Sequence, residues 1–120
     1  MALNVFGEPM ISCSTAPLTG YFRDGFCHCK DDETVVHVVC CLMTQDFLAY
    51  SASVGNDLST PRIAYMFEGL KAGDRWCLNA HRFAEAYRAG MAPKVILEAT
   101  DEKILEFIPL DELVMLAYKK

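Results

Sequence analysis

The sequence predicts an α+β protein: a single domain over residues 1–120, with a small, mainly antiparallel or mixed sheet, about three helices and long ordered loops. Three observations lead there. Residues 34–43 form a valine-rich run that is apolar at successive positions, the pattern of a strand buried on both faces. Thr44 and Asn79 each stand as an N-cap before a segment of helical periodicity. The remaining apolar runs are joined by turn residues, which favours hairpins over the long crossovers of a parallel sheet.

In chain order, the first thirty residues are punctuated by turns. Pro17-Leu18-Thr19-Gly20 has proline and glycine where a tight turn wants them, and Asp24-Gly25 between aromatic-rich flanks predicts a hairpin. After the polar break at residues 30–33, Thr34–Met43 is expected to be the central strand. A helix follows from Gln45 to Ser53, stopped at Gly55, with Phe47, Leu48, Ser51 and Val54 facing the core. Residues 55–73 show no clear periodicity over nineteen positions, and loops of that length are often functional. Arg75–Leu78 reads as a short strand. Asn79 then opens a helix with Ala80, Phe83, Ala84 and Tyr87 on one face, ended by Gly90 and Pro93. Lys94–Thr100 and Ile104–Ile108 are expected as two strands about the Asp101-Glu102-Lys103 turn. A last helix, about Leu110–Tyr118, carries Asp111 and Glu112 in its first turn, as the helix dipole prefers.

Composition narrows the function classes. The chain has 11 basic and 16 acidic side chains, a net charge of −5, which argues against a nucleic-acid partner. The uncharged run through the apolar centre, residues 34–45, is too short to span a bilayer, so no membrane partner is expected. A hydrophobic share of 52% leaves room for a self-association surface and a homo-oligomer. The N-terminus lacks a basic residue before an apolar run. Six cysteines, at 13, 27, 29, 40, 41 and 77, would then be reduced thiols of a cytoplasmic protein, and the adjacent pair Cys40-Cys41 inside an apolar run agrees with that reading.

Several local patterns taken together resemble one family. They are Cys13-Ser14 with Pro17-Leu18-Thr19-Gly20, Arg23-Asp24-Gly25, His37 with Cys40, and Met43-Thr44. They continue through Gly55-Asn56-Asp57-Leu58-Ser59-Thr60-Pro61, Gly69-Leu70 and Gly73-Asp74-Arg75-Trp76-Cys77-Leu78. The combination is similar to that of a family of small bacterial proteins, Domain of Unknown Function 2237, from Asn4 to the last helix. The resemblance implies membership and no activity. The chain departs from the family pattern at Asn79, where cysteine is common, at Phe83, where tryptophan is, and at Asp101, where histidine is.

Three chemistries compete for the remaining residues. No cofactor is expected; a zinc ion held by Cys13, Cys27, Cys29 or Cys77 is the alternative, set against buried apolar thiols. The histidine spacing does not help a metal: on a strand, His37 and Cys40 point to opposite faces, and His37 lies about 13 Å from Cys41. Thiol-dependent catalysis would use Cys77, beside Arg75 and just before a helix N-terminus, with His37 as its base; core filling is the competing role for both. Small-ligand binding would use Arg23, Asp24, Asn56, Asp57, Ser59, Thr60, Arg75 and Trp76, whose guanidinium, amide and hydroxyl groups suit a carboxylate or phosphate. The same loop residues commonly bond only their own backbone. The expectation is therefore a small polar or anionic ligand in a loop-built pocket, with thiol catalysis as an extension and a non-catalytic interaction or structural module as the alternative.

Overall fold

The computed structural model describes residues 3–20, 22–28, 36–61 and 69–118. Its centre is the valine run. Strand β1 (His37–Leu42) lies between β2 (Arg75–Asn79) and the two-residue β3 (Lys94–Val95), antiparallel to both. Val38, Val39, Cys40 and Cys41 are fully buried, as a strand covered on both faces requires. The expected residues 34 and 35 of this strand lie outside the described residues.

Helix α1 (Gln45–Ser53) begins where Thr44 caps it, its hydroxyl accepting the Phe47 N–H at 3.1 Å. Helix α2 (Ala80–Arg88) follows β2 directly, and the Asn79 side chain accepts the N–H groups of His81 and Arg82. Phe47 and Leu48 of α1 and Ala80, Phe83 and Ala86 of α2 form the main core with Val39, Cys41, Trp76 and Leu78 of the sheet. Ile104, Ile108 and Leu113 of the C-terminal segment close it. The architecture is thus α+β, as expected, with a three-stranded antiparallel sheet and three α-helices among the described residues.

Five expectations need correction. Val54 is exposed rather than turned to the core, because α1 ends at Ser53 and Val54 is already its C-cap. No hairpin ladder flanks Asp24-Gly25 among the described residues. The turn exists, closed by Gly25 N–H to Thr19 O at 2.9 Å and Arg23 N–H to Gly20 O at 3.0 Å, but local side-chain bonds take over the groups a ladder would use. Gly20 (φ +105°) admits no side chain there: a Cβ would sit 2.5 Å from Phe26 O.

The expected strands Lys94–Thr100 and Ile104–Ile108 shrink to β3 and two 3₁₀ turns, Leu97–Ala99 and Glu102–Glu106. The cause is again side-chain capture. Thr100 Oγ1 donates to Ile96 O and accepts the Cys40 N–H, while Asp101 accepts the Lys103 N–H and starts the second turn. The last helix, α3, is only Leu110–Val114; beyond it the chain extends along β3, with Tyr118 N–H donating to Val95 O and Val95 N–H to Leu116 O.

The largest correction concerns the cysteines. Cys13 is bonded to Cys40 and Cys27 to Cys77, and Cys41 is the free thiol among the described residues. The expectation of six reduced thiols fails because strand alternation sends Cys40 and Cys41 to opposite faces. Cys40 meets the N-terminal loops, where partners stand; Cys41 meets the helices, where none does. No helix of the described residues is long and apolar enough to cross a membrane.

Candidate functional site

A β-bulge between His37 and Val39 sets His37 opposite Asn79 at the open end of the sheet. There, β1, β2 and the first turn of α2 converge with the loop after α1 to form a cleft of about 330 Å³. His37, Trp76, Leu78 and Asn79 line it from the sheet, His81 and Arg82 from α2, and Asn56 and Leu58 from the loop. The loop is held in place by paired bonds between Ser51 and Asn56, backbone to backbone at 2.9 Å and hydroxyl to carbonyl at 2.6 Å, and by Leu70 N–H to Leu58 O at 2.7 Å.

In an acidic molecule the cleft carries one formal positive charge, that of Arg82, among the described residues. Among the described residues its lining includes no carboxylate, and two imidazoles stand beside Arg82. Arg82 Nη1 donates to Val54 O at 3.3 Å and lies 3.4 Å from Glu85 Oε1, a half-exposed pair of little strength. Arg23, held in the left-handed region (φ +56°), donates from Nη1 to Gly20 O and places its guanidinium 5.3 Å from the Trp76 ring centroid. Burial, and next the charge of Arg23, push the His37 pKa below its ordinary value of 6.5. His37 is therefore a neutral imidazole at neutral pH.

Of the residues singled out from sequence, His37, Asn56 and Trp76 meet in this cleft, and Arg23 stacks on Trp76. The others do not join them. Asp57 binds the backbone and hydroxyl groups of Ser59 and Thr60, which lower its pKa to about 2, so these three residues are occupied with one another. Asp24 accepts the Phe26 N–H and pairs with His28 at 2.8 Å; its pKa falls because those bonds outweigh the opposing effect of burial. Arg75 pairs with Leu42 at the far end of β2. Cys77, the candidate nucleophile, has its sulfur bonded to Cys27 and carries no thiolate in this state. Burial pushes the Cys41 thiol well above its ordinary range, which leaves it inert.

Sequence reasoning missed Asn79, His81 and Arg82 as site residues. Their signal was available: a capping asparagine at a strand end places the second and third residues after it on the first helical turn, beside the same strand end.

The second concentration of chemistry lies on the opposite face of the sheet. The sulfurs of Cys13, Cys27 and Cys77 all lie within 4.8 Å of one another, and Cys40 is bonded to the first of them. All four cysteines are 0–3% exposed.

Fold and sites define a small α+β protein with a cleft lined by Arg82 and two imidazoles on one side of its sheet and a buried four-cysteine cluster on the other. The chain belongs to the family described as an uncharacterized protein conserved in bacteria, DUF2237, whose profile matches residues 3–117. The resemblance read from the loop motifs is thereby established. No curated protein matches the chain.

Proposed function

We propose that this protein binds a small anionic molecule, a carboxylate or phosphate with an apolar or planar portion, in the cleft between β1, β2 and the start of α2. One observation carries the reading: in a chain of net charge −5, the described lining of the cleft holds the Arg82 guanidinium and two imidazoles, His37 and His81, and no carboxylate. Arg82 would meet the anion, the Asn56 and Asn79 amides would orient it, and Trp76, Leu58 and Leu78 would cover its apolar part. The N-terminus of α2 adds positive potential, although Asn79 already satisfies two of its N–H groups. Thiol catalysis has no part in this reading while Cys77 is bonded to Cys27.

Titration with benzoate and with inorganic phosphate, followed by amide and side-chain NMR, tests it. Saturable shifts at the Trp76 indole, Arg82 and Asn56, lost in Arg82→Gln, are the expected result. Uniform shifts that persist in Arg82→Gln would sink the proposal. A cytoplasmic setting belongs to the same reading, and the disulfides pull against it. Acid-quenched alkylation of the protein in cells decides the matter: four unmodified, bonded cysteines would place it in an oxidising compartment.

A further inference from the structure

Cys40 and Cys77 are direct partners across β1 and β2. Their own backbone groups point away from each other: the Cys40 N–H donates to Thr100 Oγ1, Cys40 O accepts from Ile96 N–H, and the Cys77 N–H donates to Thr19 Oγ1. That is the non-hydrogen-bonded kind of pair, whose Cα atoms are closest, about 4.5 Å apart, and whose side chains project side by side. Cys13 and Cys27 descend on this pair from two points of the N-terminal segment. Cys13 N–H is fixed on Gly25 O at 2.7 Å, and Cys27 is bridged to Thr100.

Two staples have no need to touch. A disulfide requires only its own two cysteines at the right separation, and two bonds spread over the molecule would tie down more chain. Here, instead, four sulfurs from two strands and two loops converge in one buried cluster with Ile96 and Ala99. A tetrahedral centre does require such convergence. With metal–sulfur bonds of about 2.3 Å, its sulfurs stand roughly 3.8 Å apart. Cys27 and Cys77 are bonded to each other, and the Cys13 sulfur lies within 4.8 Å of both, which is near that spacing. Parting the two bonded pairs from about 2.05 Å needs movements of an ångström or so, within reach of side-chain rotation.

We propose that the reduced protein holds one zinc ion in a tetrathiolate site formed by Cys13, Cys27, Cys40 and Cys77. Two equivalents of a dithiol reductant supply four electrons and four protons, the two S–S bonds break, and four thiols form. Zinc then displaces the four thiol protons to solvent and forms four Zn–S bonds. Two equivalents of a small-molecule disulfide reverse this: they accept the four electrons, take up four protons from solvent and leave as thiols, and both protein S–S bonds re-form as the ion is released. The chain would keep its N-terminal segment on the sheet in either state, by covalent bonds or by the metal.

The test uses the whole protein, reduced without oxygen, freed of reductant and titrated with cobalt(II) and then zinc. One equivalent of cobalt should produce thiolate charge-transfer absorption and the intense visible bands of a tetrahedral centre, and one equivalent of zinc should abolish both. Cys77→Ser should weaken cobalt binding by more than the roughly 10–100-fold that loss of a supporting residue costs. Cys41→Ala and Cys29→Ala should leave the spectrum unchanged. Reduced wild-type protein that gives no tetrahedral spectrum overturns the proposal, whatever the variants do. So does a spectrum that disappears with Cys29→Ala, since the ligand set would then be another.

Discussion

The sheet has two faces, and they hold their neighbours in place by different means. One buries Val39, Cys41, Trp76 and Leu78 under α1, α2 and the C-terminal turns, where large apolar side chains interlock. The other receives an N-terminal segment with almost no regular structure and a small cluster of four cysteines, Ile96 and Ala99. Phe6, Ile11, Leu18 and Phe22 of that segment are all exposed. A segment that buries so little apolar area cannot offset its own ordering entropy by contact alone. Covalent links and a few buried hydroxyls supply the difference. Cys40 and Cys41 show the contrast at neighbouring positions: one is a cross-link, the other an apolar filler.

This contrast predicts that the helical face fails by cavity formation and the cysteine face by loss of restraint. Phe83→Ala, at a fully buried α2 position, should cost about 3–5 kcal/mol in denaturant unfolding with the m-value unchanged. Replacing Cys27 and Cys77 together by alanine opens a link of sequence separation 50 and should cost about 3–4 kcal/mol on a chain-entropy estimate. Its distinguishing mark is where the loss appears. Amide exchange should rise across residues 10–28 and little in α1 or α2, whereas Phe83→Ala should raise exchange in the helices. If both variants loosen the molecule evenly, the two faces form one cooperative unit and the contrast is wrong.

Thr19 and Thr100 sharpen the same point on a smaller scale. Each is fully buried, and each hydroxyl accepts the N–H of one strand cysteine, Cys77 or Cys40. Valine keeps the shape and removes the acceptor, leaving a buried N–H unsatisfied. Thr19→Val and Thr100→Val should each cost about 1–3 kcal/mol, read as a shift in the denaturant midpoint. Thr100 also donates to Ile96 O, so its loss should be the greater of the two.

The parts of this fold that sequence made legible are those governed by periodicity and caps. The valine run located the central strand, Thr44 and Asn79 located both longer helices, and α1 has the bounds its pattern indicated. What stayed hidden depends on groups distant in the chain. The run after Pro93 has strand-like composition, yet Thr100 reaches across to Cys40, sixty residues away, and its own segment curls into a 3₁₀ turn. Cysteine connectivity is likewise a tertiary fact, which spacing alone does not contain. For the site, polar loop residues were the natural guess, but Asp57, Ser59 and Thr60 satisfy one another. The cleft instead uses the strand end and first helical turn, where His37, Asn79 and Arg82 are brought together by register.

The gentlest probe of the cleft is the protonation of His37. Burial and then the Arg23 charge hold its pKa below 6.5, so the unfolded chain takes up the proton first as pH falls. This group's contribution to stability is therefore constant above about pH 6.5 and declines as the pH drops through the folded-state midpoint. Arg23→Gln removes the lesser of the two causes. The His37 midpoint, followed through its ring resonances, should rise in that variant yet stay below 6.5, because burial remains. Benzoate keeps one negative charge across this range, so binding beside the imidazole should raise the midpoint further and be accompanied by proton uptake. Its affinity should accordingly increase as pH falls. A midpoint indifferent to Arg23→Gln would show that the guanidinium does not face His37 in solution. A midpoint indifferent to saturating benzoate would move the anion out of the cleft altogether.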